Sequence, residues 1–193
     1  MLQGSSAALV NPAFVRTMAA YNAEMNRRLY AAAERIPDAE RRQERGAFWG
    51  SLHGTLCHLL WGDLMWMSRF DDWAKPAVTQ KASATLIEDF DELRHQRVVA
   101  DVKIAAWAGR ATDDWLGEQQ VWFSASIQRE LRQPRSLLVA HFFNHQTHHR
   151  GQAHALITAC GEATGDTDLF LVVPTGLRTI ARMWGGRYCA LSP

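Results

Sequence analysis

Four long stretches of the chain carry apolar residues at helical spacing, and residues that end helices lie between them. Recurrence with a period near 3.6 residues predicts amphipathic α-helices. Pro37, Pro76 and Gly161 fall at the breaks, where proline and glycine stop a helix. We therefore expect an all-α protein, an up-down four-helix bundle with a short C-terminal extension. The predicted helices cover approximately 12–36, 49–70, 84–108 and 134–160.

Two shorter parts of the chain are less regular. Thr112 is suited to cap a helical turn, whereas QVWFSAS at 120–126 is typical of a strand. Residues 112–133 are therefore predicted equally well as a hairpin, an irregular segment or a helix. Near the C-terminus, LFLVV at 169–173 predicts a short strand, and 177–184 predicts a last helix.

Length and charge limit the class of protein. The chain has 193 residues, of which 47% are hydrophobic and 21% charged, as in ordinary globular proteins. We expect a single domain over residues 1–193, with its core at about 12–160 and the extension at 161–193. The net charge of +1 argues against a nucleic-acid partner, because proteins that bind polyanions usually carry a clear basic excess.

The cysteines and the apolar runs indicate the cellular compartment of the protein. Cys57, Cys160 and Cys189 are odd in number and widely spaced, which argues against a disulfide framework and for a reducing compartment. The first residues lack the charged start and long apolar run of a signal peptide. No apolar run approaches the ~20 residues needed to span a bilayer. We predict a cytoplasmic protein without a membrane partner.

Five of the eight histidines lie in the segment AHFFNHQTHHRGQAHAL at 140–156. With a turn of about 100° per residue, the core stripe of this fourth predicted helix consists of Leu138, Phe142, Leu156 and Cys160. Within about 60° of its centre lie His141, His145, His149 and Gln152. The imidazoles therefore interrupt the hydrophobic seam. His148 lies on the flank of the stripe, and His154 points away from it as a surface residue.

The spacing of four predicts a metal site. Histidines at i and i+4 have Cβ atoms ~6 Å apart, so both reach one ion. Two pairs fit this rule, His141 with His145 and His145 with His149, and periodicity does not choose between them. A single buried histidine is usually a hydrogen-bonded core residue. Several on one stripe would each need a buried partner, whereas a shared cation satisfies several at once.

A third ligand must come from elsewhere in the chain. His58 shares the second apolar face of the second helix with Trp61, so we expect it to point inward and choose it on burial. His53 and Cys57, also at i and i+4, form a conceivable rival site. His95 is predicted to face solvent. Asp63 is predicted to support the site or cap a helix and is a weaker ligand candidate.

These motifs resemble the DinB family of four-helix bundles. The resemblance spans roughly residues 12–173 and depends on NHQTHHRGQ at 144–152, TLCHLLWGDLMWMSRF at 55–70 and YNAEMNRRLY at 21–30. It implies a divalent metal held by three histidines, which by position are His58, His145 and His149. The roles of His141, His148, Arg150 and Gln152 are not settled by it.

The resemblance also implies a range of functions. The wider superfamily includes thiol transferases that use bacillithiol or mycothiol, a mycothiol-dependent maleylpyruvate isomerase and a domain of ergothioneine-pathway enzymes. We therefore expect a metal-dependent transferase that joins a low-molecular-weight thiol to an electrophilic small molecule, with zinc or nickel as the metal. The alternatives are a metal-dependent hydrolase and a non-catalytic metal-binding stress-response module. Homodimers are common among such proteins, so we also expect a homodimer. No catalytic residue outside the metal ligands is identifiable.

Overall fold

The computed structural model describes residues 8–124 and 127–173, which are mostly helical. Four long helices account for most of this part: α1 (Pro12–Glu34), α3 (Leu52–Phe70), α4 (Phe90–Arg110) and α6 (Arg135–Ala159). Short helices α2 (Asp38–Arg42), α5 (Asp113–Gly117) and α7 (Leu169–Val172) and a 3₁₀ turn (Gln80–Thr85) lie between or after them. The strands are β1 (Gln119–Ser124) and β2 (Arg129–Pro134).

Side-chain caps set the starts of three long helices. Asn11 accepts a hydrogen bond from the Phe14 N–H at 2.9 Å, and Ser51 caps α3 in the same way. Asp89 accepts from the Glu92 N–H at 2.8 Å. This cap starts α4 six residues later than the predicted start at 84, because a residue whose side chain binds the first turn has extended backbone.

The long helices pack around a core that is divided by a polar layer. Helix α1 contacts α4 and α6, and α3 contacts the same two helices. One apolar cluster lies at one end of these helices and contains Leu29, Leu56, Leu60, Leu93 and Ile157. A second lies at the other end and contains Met67, Phe70, Ile104, Trp107 and Phe142. Between the two clusters, each long helix contributes buried polar side chains.

One part of the polar layer is an ionic network of five side chains: Asn26, Asp63, Arg97, Asp101 and Gln146. Arg97 forms ion pairs with Asp63 and Asp101, and Asp101 also accepts a hydrogen bond from the Asn26 amide at 2.9 Å. The Gln146 amide donates to Asp63 at 2.7 Å. Each long helix supplies at least one member, so the network fixes the register of all four. Asp63 acts in this network and makes no contact that would make it a cap.

The irregular region 112–133 contains both a short helix and a hairpin. Thr112 caps α5 by accepting from the Trp115 N–H at 3.2 Å. Strands β1 and β2 then pair antiparallel, with Trp122 opposite Leu131. The Trp122 ring packs against Trp66 of α3 with 6.2 Å between the ring centroids, which places the hairpin against the end of α3.

The predicted strand at 169–173 is wrong, because Leu169–Val172 forms the single helical turn α7. The N–H groups of Leu171 and Val172 both donate to the Asp168 carbonyl at 3.0 Å. An isolated strand would leave such groups without backbone partners, whereas a turn satisfies them locally. The predicted helix at 177–184 lies outside the described residues. No helix among residues 8–124 and 127–173 is long and apolar enough to cross a membrane.

Candidate metal centre

Helices α3 and α6 bring three histidines together in the polar layer. One ring nitrogen from each of His58, His145 and His149 lies within 4.8 Å of the others. The ring centroids are 5.4 Å apart for His58 and His145, 4.6 Å for His58 and His149, and 4.4 Å for His145 and His149. We call these three residues the histidine cluster. Three imidazoles at this spacing could hold one metal ion.

The 3₁₀ turn and the segment before α3 hold the ring of His58. Its Nδ1 lies 2.7 Å from the hydroxyl of the buried Ser83. A metal at Nε2 requires the proton on Nδ1, and the Ser83 oxygen is placed to accept it. The Trp49 indole stacks on the imidazole with 3.7 Å between centroids and 19° between planes. The ring is therefore fixed by one hydrogen bond and one aromatic face.

Glycine lets the Trp49 segment approach the start of α3. A Cβ at Gly54 would lie 2.4 Å from the Trp49 carbonyl oxygen, closer than any carbon and oxygen can pack. The Trp61 indole is also nearly parallel to His58, at 5.7 Å between centroids, and donates its Nε1–H to the Val78 carbonyl at 2.9 Å. The Trp61 wall of the site is thus anchored by a backbone carbonyl.

Gln152 sets the tautomer of His149. The Nδ1 of His149 lies 2.8 Å from Oε1 of Gln152. An amide oxygen only accepts hydrogen bonds, so Nδ1 carries the proton and Nε2 keeps its lone pair. The Gln152 amide nitrogen lies 3.3 Å from Nε2 of His148, which fixes the orientation of the amide. Gln152 therefore supports a ligand candidate without belonging to the cluster.

Gly62 makes room for His145. A Cβ built on Gly62 would lie 2.6 Å from Cε1 of the His145 ring. The imidazole thus lies directly against the backbone of α3. Its Nδ1 is buried and makes no hydrogen bond to any described residue.

The environment keeps the histidine cluster neutral. Burial, followed by the neighbouring imidazoles His149 and His145, lowers the pKa of His58 to about 3. Burial and then the charges of His149, His141 and His148 lower the pKa of His145 to about 3. Burial also lowers the pKa of His149, against the opposing hydrogen bond to Gln152. At neutral pH these rings are unprotonated, which is the state that binds a metal.

Other predicted site residues lie outside the cluster. His141 is exposed, and its ring centroid is 6.1 Å from that of His145, so it flanks the site instead of interrupting the buried seam. His148 is exposed, as expected for the flank of the stripe. The prediction that His154 is a surface residue is only partly right, because it is half-buried and its Nδ1 lies 2.7 Å from the Thr164 hydroxyl.

The rival pair has a structural explanation. Nε2 of His53 and Sγ of Cys57 both lie near the Ile87 carbonyl oxygen, at 2.8 Å and 3.3 Å. They therefore bind the segment before α4 to α3, and within the described ranges they are in no cluster of three ligands. His95 is exposed as predicted, 3.8 Å from the Glu92 carboxylate.

Three residues that shape the site are not predicted by the sequence pattern. Trp49 falls at the predicted start of a helix, and Ser83 lies in a segment without periodicity. Gly62 had a usable signal, since a glycine inside a long helix costs about 1 kcal/mol relative to alanine and usually has a packing reason. The contact between α3 and α6 supplies that reason.

The donor set suggests Lewis-acid chemistry. Three neutral nitrogens would leave a divalent cation with its full charge and with open positions for other ligands. Within the described residues no carboxylate belongs to the cluster. The nearest buried one in sequence, Asp63, is already bound to Arg97 and Gln146.

Comparison with known proteins gives one result. Searches of curated proteins and of solved structures found no match. The family model described as "DinB family" matches residues 8–175, which include all four long helices and the histidine cluster. The chain belongs to the DinB family.

Proposed function

We propose that this chain is a metal-dependent transferase that joins a low-molecular-weight thiol to an electrophilic small molecule, with His58, His145 and His149 as the metal ligands. The observation that supports this is the neutral donor set of the histidine cluster. A divalent metal held there, zinc or nickel, would keep its full positive charge and lower the pKa of a thiol bound to it.

The chain's own residues would orient and protect the reacting groups. Ser83 and Gln152 hold protons on the outer nitrogens of His58 and His149, so that both Nε2 lone pairs face the site. The Trp49 and Trp61 indoles keep water away from one side. In the reaction the thiol sulfur forms a bond to an electrophilic carbon, the bond from that carbon to the leaving group breaks, and the leaving group takes the electron pair. The thiol proton passes to solvent.

The hydrolase alternative has weaker support. With water as nucleophile, a carboxylate near the metal would be expected as general base. Asp63 is engaged in the ionic network. Asp166 is exposed and contributes its backbone carbonyl to Arg28 at 3.0 Å. A thiol needs less help from a base, because its pKa is already near 8.5.

The first experiment is metal analysis by inductively coupled plasma mass spectrometry on untagged protein. We expect about one metal per chain, lost in His58→Ala, His145→Ala and His149→Ala and kept in His53→Ala and His95→Ala. Retention of metal in the three cluster variants would show that the ligands are wrong. Absence of stoichiometric metal after reconstitution with zinc and with nickel would overturn the proposal.

The second experiment tests the thiol. Cobalt-loaded protein acquires a sulfur-to-cobalt charge-transfer band when a thiol binds, and we expect this band with at least one cellular thiol. Thiol consumption with a panel of electrophiles would then identify the reaction. Metal-loaded protein that gains thermal stability but binds and consumes no thiol would be a non-catalytic metal-binding module.

One further proposal concerns the architecture, and two predictions concern the oligomeric state and the location. We propose that the four long helices form the up-down bundle predicted from the sequence, which the pairwise contacts of α1 and α3 with α4 and α6 support. The homodimer and the cytoplasmic location stay predictions. Sedimentation equilibrium of the metal-loaded protein tests the former, and cell fractionation tests the latter.

A further inference from the structure

Arg69 near the end of α3 is a half-buried cation that has no anionic partner in the described part of the chain. Its guanidinium carbon lies over the Trp66 ring at 4.5 Å and over the Trp122 ring at 5.6 Å. It makes no hydrogen bond or ion pair within residues 8–124 and 127–173. Burial lowers the pKa of Arg69, and no nearby carboxylate opposes this effect. By contrast, Arg97 in the ionic network faces two aspartates.

A continuous row of rings connects Arg69 to the histidine cluster. The Trp66 ring beneath the guanidinium packs edge-on against His141 at 5.1 Å, and His141 lies 6.1 Å from His145. Burial of part of its ring and then the positive charge of Arg69 lower the pKa of His141. Trp66 and Trp122 are half-buried and His141 is exposed, so this row is accessible to a solute.

The unpaired guanidinium determines what Arg69 can bind. Both indoles lie against it within the distance at which cation–π attraction operates. Its N–H groups have no acceptor among residues 8–124 and 127–173 and therefore remain available to a ligand. A planar carboxylate matches a guanidinium edge with two parallel hydrogen bonds. The single positive charge matches a monoanion.

We propose that Arg69, held against Trp66 and Trp122, binds a carboxylate of the substrate whose other end reaches the histidine cluster. This inference rests on the proposed metal site for one end of the substrate and does not depend on whether that end is a thiol. It assigns the substrate class as an elongated small molecule with a metal-binding group at one end and a carboxylate at the other. The aromatic row would contact the apolar part between them.

Paired chelators test the carboxylate. Aliphatic hydroxamates of graded chain length bind an open metal site through one end, and each is used with either a carboxylate or a hydroxyl at the other end. Calorimetry on zinc-loaded protein at low salt should show one chain length at which the carboxylate binds about tenfold more tightly than its hydroxyl partner. The preference should shrink as salt is added.

Variants separate this role from a structural one. In Arg69→Gln the carboxylate preference should disappear while the hydroxyl compound binds as before, and Arg69→Lys should keep part of the preference. Arg110→Gln is the matched control, because it removes the same charge from an exposed arginine that is paired with Asp71. A purely structural Arg69 would change the melting temperature and leave the ratio of the two affinities unchanged.

The outcomes also separate this inference from the proposed function. Equal binding of both compounds at every chain length would overturn the carboxylate site and leave the metal-dependent function intact. A carboxylate preference in a protein that gives no charge-transfer band with thiols would support the carboxylate site and overturn the thiol reaction. If the cluster variants retain metal, both proposals fail together.

Discussion

Two polar clusters, the ionic network and the histidine cluster, lie between the apolar ends of the helices. They differ in whether their buried polar groups find partners within the cluster. The ionic network contains donors and acceptors of both charges, and its aspartates face arginine and amide groups at hydrogen-bonding distance. The histidine cluster contains three neutral rings of one kind, with one nitrogen of each ring turned toward the others. Two of its rings have their outer nitrogens bound, by Ser83 and Gln152.

This difference indicates which cluster is built for a ligand. Burying polar groups costs free energy unless they are hydrogen-bonded or paired. The ionic network meets that condition for its charges, which pair within the chain, although Asn26 Oδ1, Arg97 Nε and Gln146 Oε1 make no hydrogen bond to any described residue. The histidine cluster meets it only if something else accepts the lone pairs, and burial lowers the pKa of its rings so that a proton is a poor candidate. A shared cation fits this arrangement.

The largest effect is expected on the free energy of unfolding when the ionic network is broken. Asp63→Asn removes one charge from the pair with Arg97 and should lower the free energy of unfolding by about 3–5 kcal/mol, because it leaves a buried cation poorly compensated. Urea denaturation of metal-free protein measures this. Asp38→Asn, in an exposed pair with Arg42, is the control and should cost under about 1 kcal/mol. Equal losses would show that burial of the network contributes little.

The second-largest effect is expected on zinc affinity, and a control variant distinguishes it from a change in stability. Gly62→Ala would place a methyl group 2.6 Å from the His145 ring and should lower zinc affinity by roughly tenfold or more. Zinc affinity is measured by competition with a chromogenic chelator. Gly151→Ala on α6 meets no atom within 4 Å; it should leave affinity unchanged and gain about 0.5–1 kcal/mol of stability. Unchanged zinc affinity in Gly62→Ala would exclude His145 as a ligand in this position.

A smaller effect is expected from the residue behind His149. Gln152→Leu removes the acceptor for the Nδ1 proton and should reduce zinc affinity by about 10-fold, with little change in the unfolding midpoint. His148→Ala, on the far side of the same amide, should change affinity much less. If both variants behave alike, Gln152 does not set the tautomer.

The smallest effect is expected near neutral pH, where the stability of the metal-free protein should change only slightly with pH. The pKa of His58 and of His145 is about 3 in the folded state, below the value near 6.5 of an unfolded chain. Their contribution to stability is therefore complete above pH 6.5 and is lost as the pH falls toward 3. Thermal unfolding at a series of pH values should show this decline, shallower in His145→Leu and unchanged in His95→Ala. An identical decline in His145→Leu would mean that other groups cause it.

Most of the helical structure was predictable because its signals are local. Asn11 and Pro12 mark the start of α1, and the periodic apolar residues place α3 and α6 within three residues of their observed limits. The start of α4 was not predictable from periodicity, since Asp89 stops a pattern that continues before it. The run at 169–173 has strand composition, but no strand among the described residues pairs with it, and a turn satisfies its backbone groups instead.

The site was predictable where it depends on one helix and unpredictable where it depends on contacts between segments. The spacing of His145 and His149 follows from helix geometry, and the inward direction of His58 follows from the apolar face of α3. The choice of the second pair needed the family resemblance, whereas the structure shows a physical reason: His141 is exposed and outside the cluster. Ser83 reaches His58 across 25 residues of chain, a distance over which periodicity carries no information.

The Trp49 indole that stacks on His58 also gives the protein an optical reporter. An indole 3.7 Å from an imidazole shares its electronic environment, so its fluorescence should respond when that imidazole gains a metal or a proton. Paramagnetic ions such as nickel would quench it and zinc would not. Subtracting the emission of Trp49→Phe from that of the wild type would isolate this signal from the other tryptophans. Occupancy of the histidine cluster could then be followed in real time without any added dye.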